Sequence, residues 1–134
     1  MTDVLVVEED LDIGALVSTV LERAGHRVAL VPDREAALDL TTRERFDLVV
    51  LDWTNQVPGG IELCDRLRRD RRLDAVPIVM LTARARPDDV ARGLAAGADD
   101  YITKPFSVRD LTERIDAVLA RVRRDLGVTQ RASA

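Results

Sequence analysis

Short apolar runs alternate with amphipathic stretches along the chain. Val4-Leu5-Val6-Val7 comes first, and from Leu11 to Ala24 the residues Leu11, Ala15, Leu16, Val20 and Leu21 recur at helical spacing. Gly25-His26 reads as the stop of that helix, with His26 exposed in the turn, and Val28 to Val31 as the second strand. Asp33 is placed to cap a second helix carrying Ala36, Ala37, Leu38 and Leu40. Leu48-Val49-Val50-Leu51 is continuously apolar, as in a strand buried on both faces. A third helix begins after Pro58-Gly59-Gly60, carries Leu63 and Leu67, and ends in the charged stretch Arg68 to Arg72. Val76 to Leu81 reads as a fourth strand. Pro87-Asp88-Asp89 opens a fourth helix that Gly97 stops, and Tyr101-Ile102 forms a short fifth strand. Ser107 caps a last helix whose buried stripe is Leu111, Ile115, Val118, Leu119 and Val122.

Five strand–helix pairs in strict alternation imply an α/β fold, a five-stranded parallel sheet with five helices distributed over both faces. The length, 134 residues, suits one domain over residues 1–126, and the small, polar segment 127–134 reads as a flexible tail or linker stub. The composition, 46% hydrophobic and 33% charged, is that of a soluble globular chain. A net charge of −4 and a pI near 5.0 argue against nucleic-acid binding by the domain itself. The single cysteine, Cys64, excludes an internal disulfide or a zinc cluster and fits a reducing compartment; on the third helix it reads as a packed residue. No apolar run approaches the roughly 20 residues of a membrane span, so the expectation is a cytoplasmic domain without membrane contact. Among 20 basic residues 19 are Arg, and the one lysine is Lys104.

In an open parallel sheet, ligands bind outside the carboxyl ends of the strands, near the point where strand order reverses. Glu8-Glu9-Asp10 follows the first strand, Asp52 the third, Thr82 the fourth and Lys104 the fifth. With the strands in the order 2-1-3-4-5, Glu8, Glu9 and Asp52 converge in one crevice. Carboxylates that close repel unless a cation or proton joins them, and a hard divalent ion such as Mg²⁺ suits such oxygens. A carboxylate flanked by a metal, a hydroxyl and an ammonium is arranged to receive a phosphoryl group.

These residues carry a family resemblance. The segments Val4 to Asp10, Asp47 to Asp52, Gly60, Leu81-Thr82-Ala83 and Gly97 to Phe106 resemble the receiver domain of two-component response regulators, nearest to receivers that precede a winged-helix DNA-binding domain. The resemblance implies a flavodoxin-like receiver fold. It implies that Asp52 accepts phosphate from a sensor histidine kinase, and that Glu9, Asp52 and the Thr54 carbonyl ligate Mg²⁺, with Glu8 reaching the ion through water. Thr82 and Tyr101 become a switch pair beside Ala83, and Lys104 pairs with the phosphate, held by a cis bond to Pro105. Asp99, Asp100 and Asp110, near Arg92, Arg114 and Arg121, would form a symmetric dimer face on helix 4, strand 5 and helix 5. Output such as transcription follows from the same likeness.

Two departures bear on that picture. Glu9 stands where the family has Asp, which moves the carboxylate about 1.5 Å outward. The loop after Asp52 carries Gln56 where Pro is usual, with Pro58 two residues later. These leave open an atypical receiver-like module that signals without phosphate. Two other classes fit worse. A haloacid-dehalogenase-type phosphatase wants Asp two residues after its nucleophile and Thr four after, where this chain has Thr54 and Gln56. A dinucleotide or flavin module needs a glycine-rich turn after strand 1, where this chain has Glu8-Glu9-Asp10-Leu11-Asp12.

Overall fold

The computed structural model describes residues 2–52, 60–83 and 86–133. The elements run β1 (Asp3–Val7), α1 (Leu11–Arg23), β2 (Arg27–Val31), α2 (Arg34–Arg43), β3 (Leu48–Asp52), α3 (Gly60–Arg68), a 3-10 turn (Arg71–Leu73), β4 (Ile78–Thr82), α4 (Pro87–Ala95), β5 (Asp100–Thr103) and α5 (Val108–Ser133). All neighbouring strands pair in parallel, in the order β2-β1-β3-β4-β5. This is the parallel α/β sheet expected from the alternation, in the flavodoxin-like arrangement that the resemblance implies.

The pleat divides the strand residues between two cores. Leu5, Val7, Val49, Leu51, Ile78 and Met80 meet α2, α3 and α4 through Ala37, Leu63, Leu67 and their neighbours. Val4, Val6, Leu48, Val50, Val79 and Leu81 point the other way, onto Val17 and Leu21 of α1 and Leu111, Ile115 and Val118 of α5. Period-two alternation with both faces apolar leaves the central strands little choice but burial. Buried Cys64 belongs to the first core, and burial pushes its thiol up to about 11.

The helix ends follow their capping residues. Asp33 Oδ1 accepts the Ala36 N–H at 2.8 Å, and Ser107 Oγ accepts the Asp110 N–H at 3.0 Å. Gly25 and Gly97 both have positive φ, 97° and 112°, just after α1 and α4.

Four expectations change. The buried face of α1 is Gly14, Val17, Ser18, Val20 and Leu21, while Leu11 (76% exposed) and Leu16 face solvent. A leucine count centres the stripe one residue off, because small Gly14 and Ser18 are what let the helix approach. The fourth strand starts at Ile78, since the 3-10 turn at Arg71–Leu73 occupies the preceding chain and the Val76 N–H bonds back to the Leu73 carbonyl. His26 is half-buried, with its Nδ1 lacking a hydrogen-bond partner. Finally, α5 runs on to Ser133, over residues read from the sequence as a flexible tail or linker stub. Once a helix is nucleated, each further residue adds one hydrogen bond, and Gly127 alone does not stop it. Arg121 lies mid-helix, donating to the Asp99 carbonyl at 3.2 Å.

A clasp closes the amino end of the sheet on the α3 side. The Arg68 guanidinium donates to the carbonyls of Gly97 (2.9 Å), Leu73 (3.0 Å) and Val76 (2.7 Å) and to Asp99 Oδ2 (2.6 Å). Asp99 Oδ2 also accepts the Ile78 N–H at 2.8 Å.

Candidate functional site

Register brings the chemistry together. Val7 pairs with Leu51, so Glu8, the next residue, lies beside Asp52. Thr82 pairs with Thr103, so Lys104 leaves the sheet at the same level, with its N–H on the Thr82 carbonyl at 2.8 Å. Because β4 stands between β3 and β5, Lys104 must reach over one full strand, about 10 Å from strand to second neighbour, to meet Asp52. Its four-carbon stem does so.

Lys104 Nζ lies 2.8 Å from Asp52 Oδ1 and 3.3 Å from Glu8 Oε2. Glu8 is 3% exposed, and the side chains of Asp52 and Lys104 are 6% and 18% exposed. Burial is the largest influence on Glu8 and raises its pKa. The Asp10 N–H donated at 3.1 Å works against this, the Asp52 charge adds to it, and Lys104 opposes it. Burial also works against the Lys104 ammonium, but Asp52 and Glu8 outweigh it and hold the lysine above its ordinary value.

The acidic run after β1 divides into three roles. Glu8 turns inward, Glu9 is exposed, and Asp10 caps α1, its Oδ1 accepting the N–H groups of Asp12 (2.9 Å) and Ile13 (3.1 Å). The sequence reading placed Glu8 and Glu9 with Asp52 in one crevice and gave Asp10 no role, so it missed the cap. An acid three residues before Ile13, at the helix start, was the signal. Thr82 is buried at the end of β4, Ala83 follows it exposed, and Tyr101 is 8% exposed beneath α4. The Lys104–Pro105 bond is cis. Thr54, and the loop carrying Gln56 and Pro58, lie outside the described residues.

Two buried carboxylates face a single ammonium, so the crevice keeps a net negative charge built from hard oxygens, and a divalent cation fits that donor chemistry. Among the described residues, however, no three His, Cys, Asp or Glu groups are gathered closely enough to hold a metal, and Glu9 does not join the pair. Two cavities, about 460 and 600 Å³, lie at the opposite, amino end of the sheet around Phe46 and Arg45, away from this chemistry.

The residues expected on a dimer face are largely paired within the chain. Asp99 is held by Arg68, and Asp100 Oδ1 lies 3.0 Å from Arg114 Nη1. Arg92 and Asp110 are exposed on α4 and α5. No helix among the described residues is long and apolar enough to cross a membrane.

The chain is similar to known proteins over most of its length. Residues 4–116 match the family model described as the response regulator receiver domain. The chain is 41% identical over 118 residues to the phosphate regulon transcriptional regulatory protein PhoB of Pseudomonas aeruginosa, covering 88% of this chain and 52% of that protein. It is 45% identical over 127 residues to the transcriptional regulatory protein AfsQ1 of Streptomyces coelicolor, covering 93% and 54%. The chain thus spans about half the length of these relatives. The solved chemotaxis protein CheY4 of Vibrio cholerae superposes with a TM-score of 0.84 at 31% identity, over 88% of this chain and 98% of that one.

Proposed function

The chain belongs to the response regulator receiver domain family, a family of signalling modules rather than classical enzymes, and from that premise we propose that Asp52 is its phosphoacceptor, loaded by a sensor histidine kinase. The observation that carries this reading is the buried Lys104–Asp52–Glu8 cluster at the carboxyl ends of β5, β3 and β1. An Asp52 carboxylate oxygen bonds to phosphorus as the phosphorus–nitrogen bond of the donor phosphohistidine breaks, and that bonding pair leaves on the imidazole nitrogen. Glu9, Asp52 and the Thr54 carbonyl would hold Mg²⁺, with Glu8 reaching it through water, and the ion would supply positive charge to the phosphoryl oxygens. Lys104 then exchanges the Asp52 carboxylate for a phosphoryl oxygen, an exchange suited to an ammonium on a flexible stem better than to a bidentate guanidinium fork. Thr82 moves its hydroxyl toward the phosphoryl group, Tyr101 changes its burial, and the surface of α4, β5 and α5 changes partners.

On that surface Asp100 and Arg114 would trade their internal pair for the equivalent pair in a second copy, with Arg92, Asp99, Asp110 and Arg121 around it. The full-length relatives are named as transcriptional regulators, which favours control of transcription as the output.

A second reading has its own support. Glu9 is exposed, and Lys104 already bridges both inward carboxylates, a state in which the domain could signal by contact alone. Acetyl phosphate and Mg²⁺ separate the two readings. Intact mass spectrometry should show wild type gaining one phosphoryl group while Asp52→Asn gains none, with the phosphorylated sample heavier in sedimentation. Wild type that gains nothing would establish the contact-only module.

A further inference from the structure

The carboxylates around the crevice differ in how firmly they are placed. The side chains of Glu8 and Asp52 are almost wholly buried, and Lys104 Nζ bridges them at 3.3 and 2.8 Å. Asp10 is engaged at the start of α1, where its Oδ1 accepts the N–H groups of Asp12 and Ile13. The remaining acid of the run after β1, Glu9, is exposed, and among the described residues no three acids stand close enough together to hold a metal. Of that run, Glu9 is therefore the one that can add a third carboxylate to a cation at Asp52 and Glu8, and it brings that carboxylate from outside on a two-methylene stem. Divalent ions differ in what they ask of such a group. Mg²⁺ demands near-ideal octahedral geometry at about 2.1 Å, which a long, flexible stem meets poorly. Ca²⁺ takes about six to eight oxygens at roughly 2.3–2.6 Å in adjustable geometry, and a glutamate can turn both oxygens onto it.

We propose that Glu9 sets the size preference of the cation site, moving it away from Mg²⁺ and toward a larger divalent ion such as Ca²⁺. This rests on the reading of the crevice as a cation site. Asp52 and Glu8 supply negative charge to either ion, so they fix that a cation binds. Glu9 decides which one, because the length of its stem matters only to an ion that is strict about where its oxygens lie.

Wild type, Glu9→Asp and Asp52→Asn are compared as full, chelator-treated chains by ¹H–¹⁵N chemical-shift titration, once with Mg²⁺ and once with Ca²⁺. Wild type should reach half-saturation at a lower concentration of Ca²⁺ than of Mg²⁺. In Glu9→Asp the Mg²⁺ midpoint should fall about fivefold while the Ca²⁺ midpoint stays or rises, so the ratio of the two midpoints moves about tenfold toward Mg²⁺. The same ratio in both chains would overturn the proposal. Because Glu9 is exposed, Glu9→Asp should unfold with the wild-type midpoint in metal-free buffer, which separates a change of ion preference from damage to the fold. Midpoints in Asp52→Asn equal to wild type for both ions would place the ions elsewhere and overturn the reading of the crevice as the cation site.

Discussion

At Glu8 the balance between burial and charge decides the sign of a pH effect. Burial raises its pKa, and the Asp52 carboxylate adds to this. A folded-state pKa above the unfolded value contributes stability that is complete below the ordinary 4.5 and is lost as pH rises through the raised value. Glu8→Gln does not ionise, so in metal-free buffer its stability relative to wild type should improve between pH 4 and pH 7, read from urea midpoints. A relative stability independent of pH would mean that Glu8 is not held up in the fold. The inward direction of Glu8 was legible from its place after an apolar strand, but the separation of Glu9 from it was not. Nothing in Glu8-Glu9-Asp10 distinguishes one acid from the next until the pleat and the start of α1 assign each its direction. The four acceptors of Arg68 were equally hidden, because a run of charged residues at a helix end reads as a solvated face.

At the scale of elements, α1 separates hydrophobic content from hydrophobic burial. Leu16 faces water while Leu21 is 1% exposed among Val17, Val20 and the α5 stripe. Leu21→Ala should cost about 3 kcal/mol through lost burial and the cavity left behind. Leu16→Gln should change stability by less than about 0.5 kcal/mol, because it alters an exposed site. Chemical denaturation of the two variants checks the contrast, and equal costs would refute the assigned face. Helix existence, caps and glycine stops could be read from the chain because they are local: Asp33, Ser107, Gly25 and Gly97 act within four residues of themselves. The rotation of α1 about its axis could not, since Gly14 earns its burial from Leu30 of β2, whose side chain would lie 3.0 Å from a Cβ at that position. The start of β4 was hidden because the turn before it is tied down by the Arg68 side chain, which bonds the Leu73 and Val76 carbonyls five and eight residues on.

Over the whole molecule, a parallel sheet was legible because each strand is followed by a helix that carries the chain back, whereas the order 2-1-3-4-5 rests on likeness to the flavodoxin-type fold. The same order gathers residues 8, 52, 82 and 104 from four separate strands, so the site exists only when the sheet does. The Arg68 clasp carries that logic into time. Its acceptors come from the turn after α3, the approach to β4 and the α4–β5 corner, segments that meet only when β4 and β5 have assembled beside α3. Its bonds are therefore absent from an early folding nucleus, and a contact missing from the transition state holds back unfolding without hastening folding. Arg68→Gln should leave the refolding rate within about twofold while unfolding accelerates about tenfold or more, seen as a displaced right limb of the chevron. A slowed refolding limb would instead place the clasp in the nucleus. The guanidinium acts as a latch fastened last, and it governs how long the folded domain endures rather than how quickly it forms.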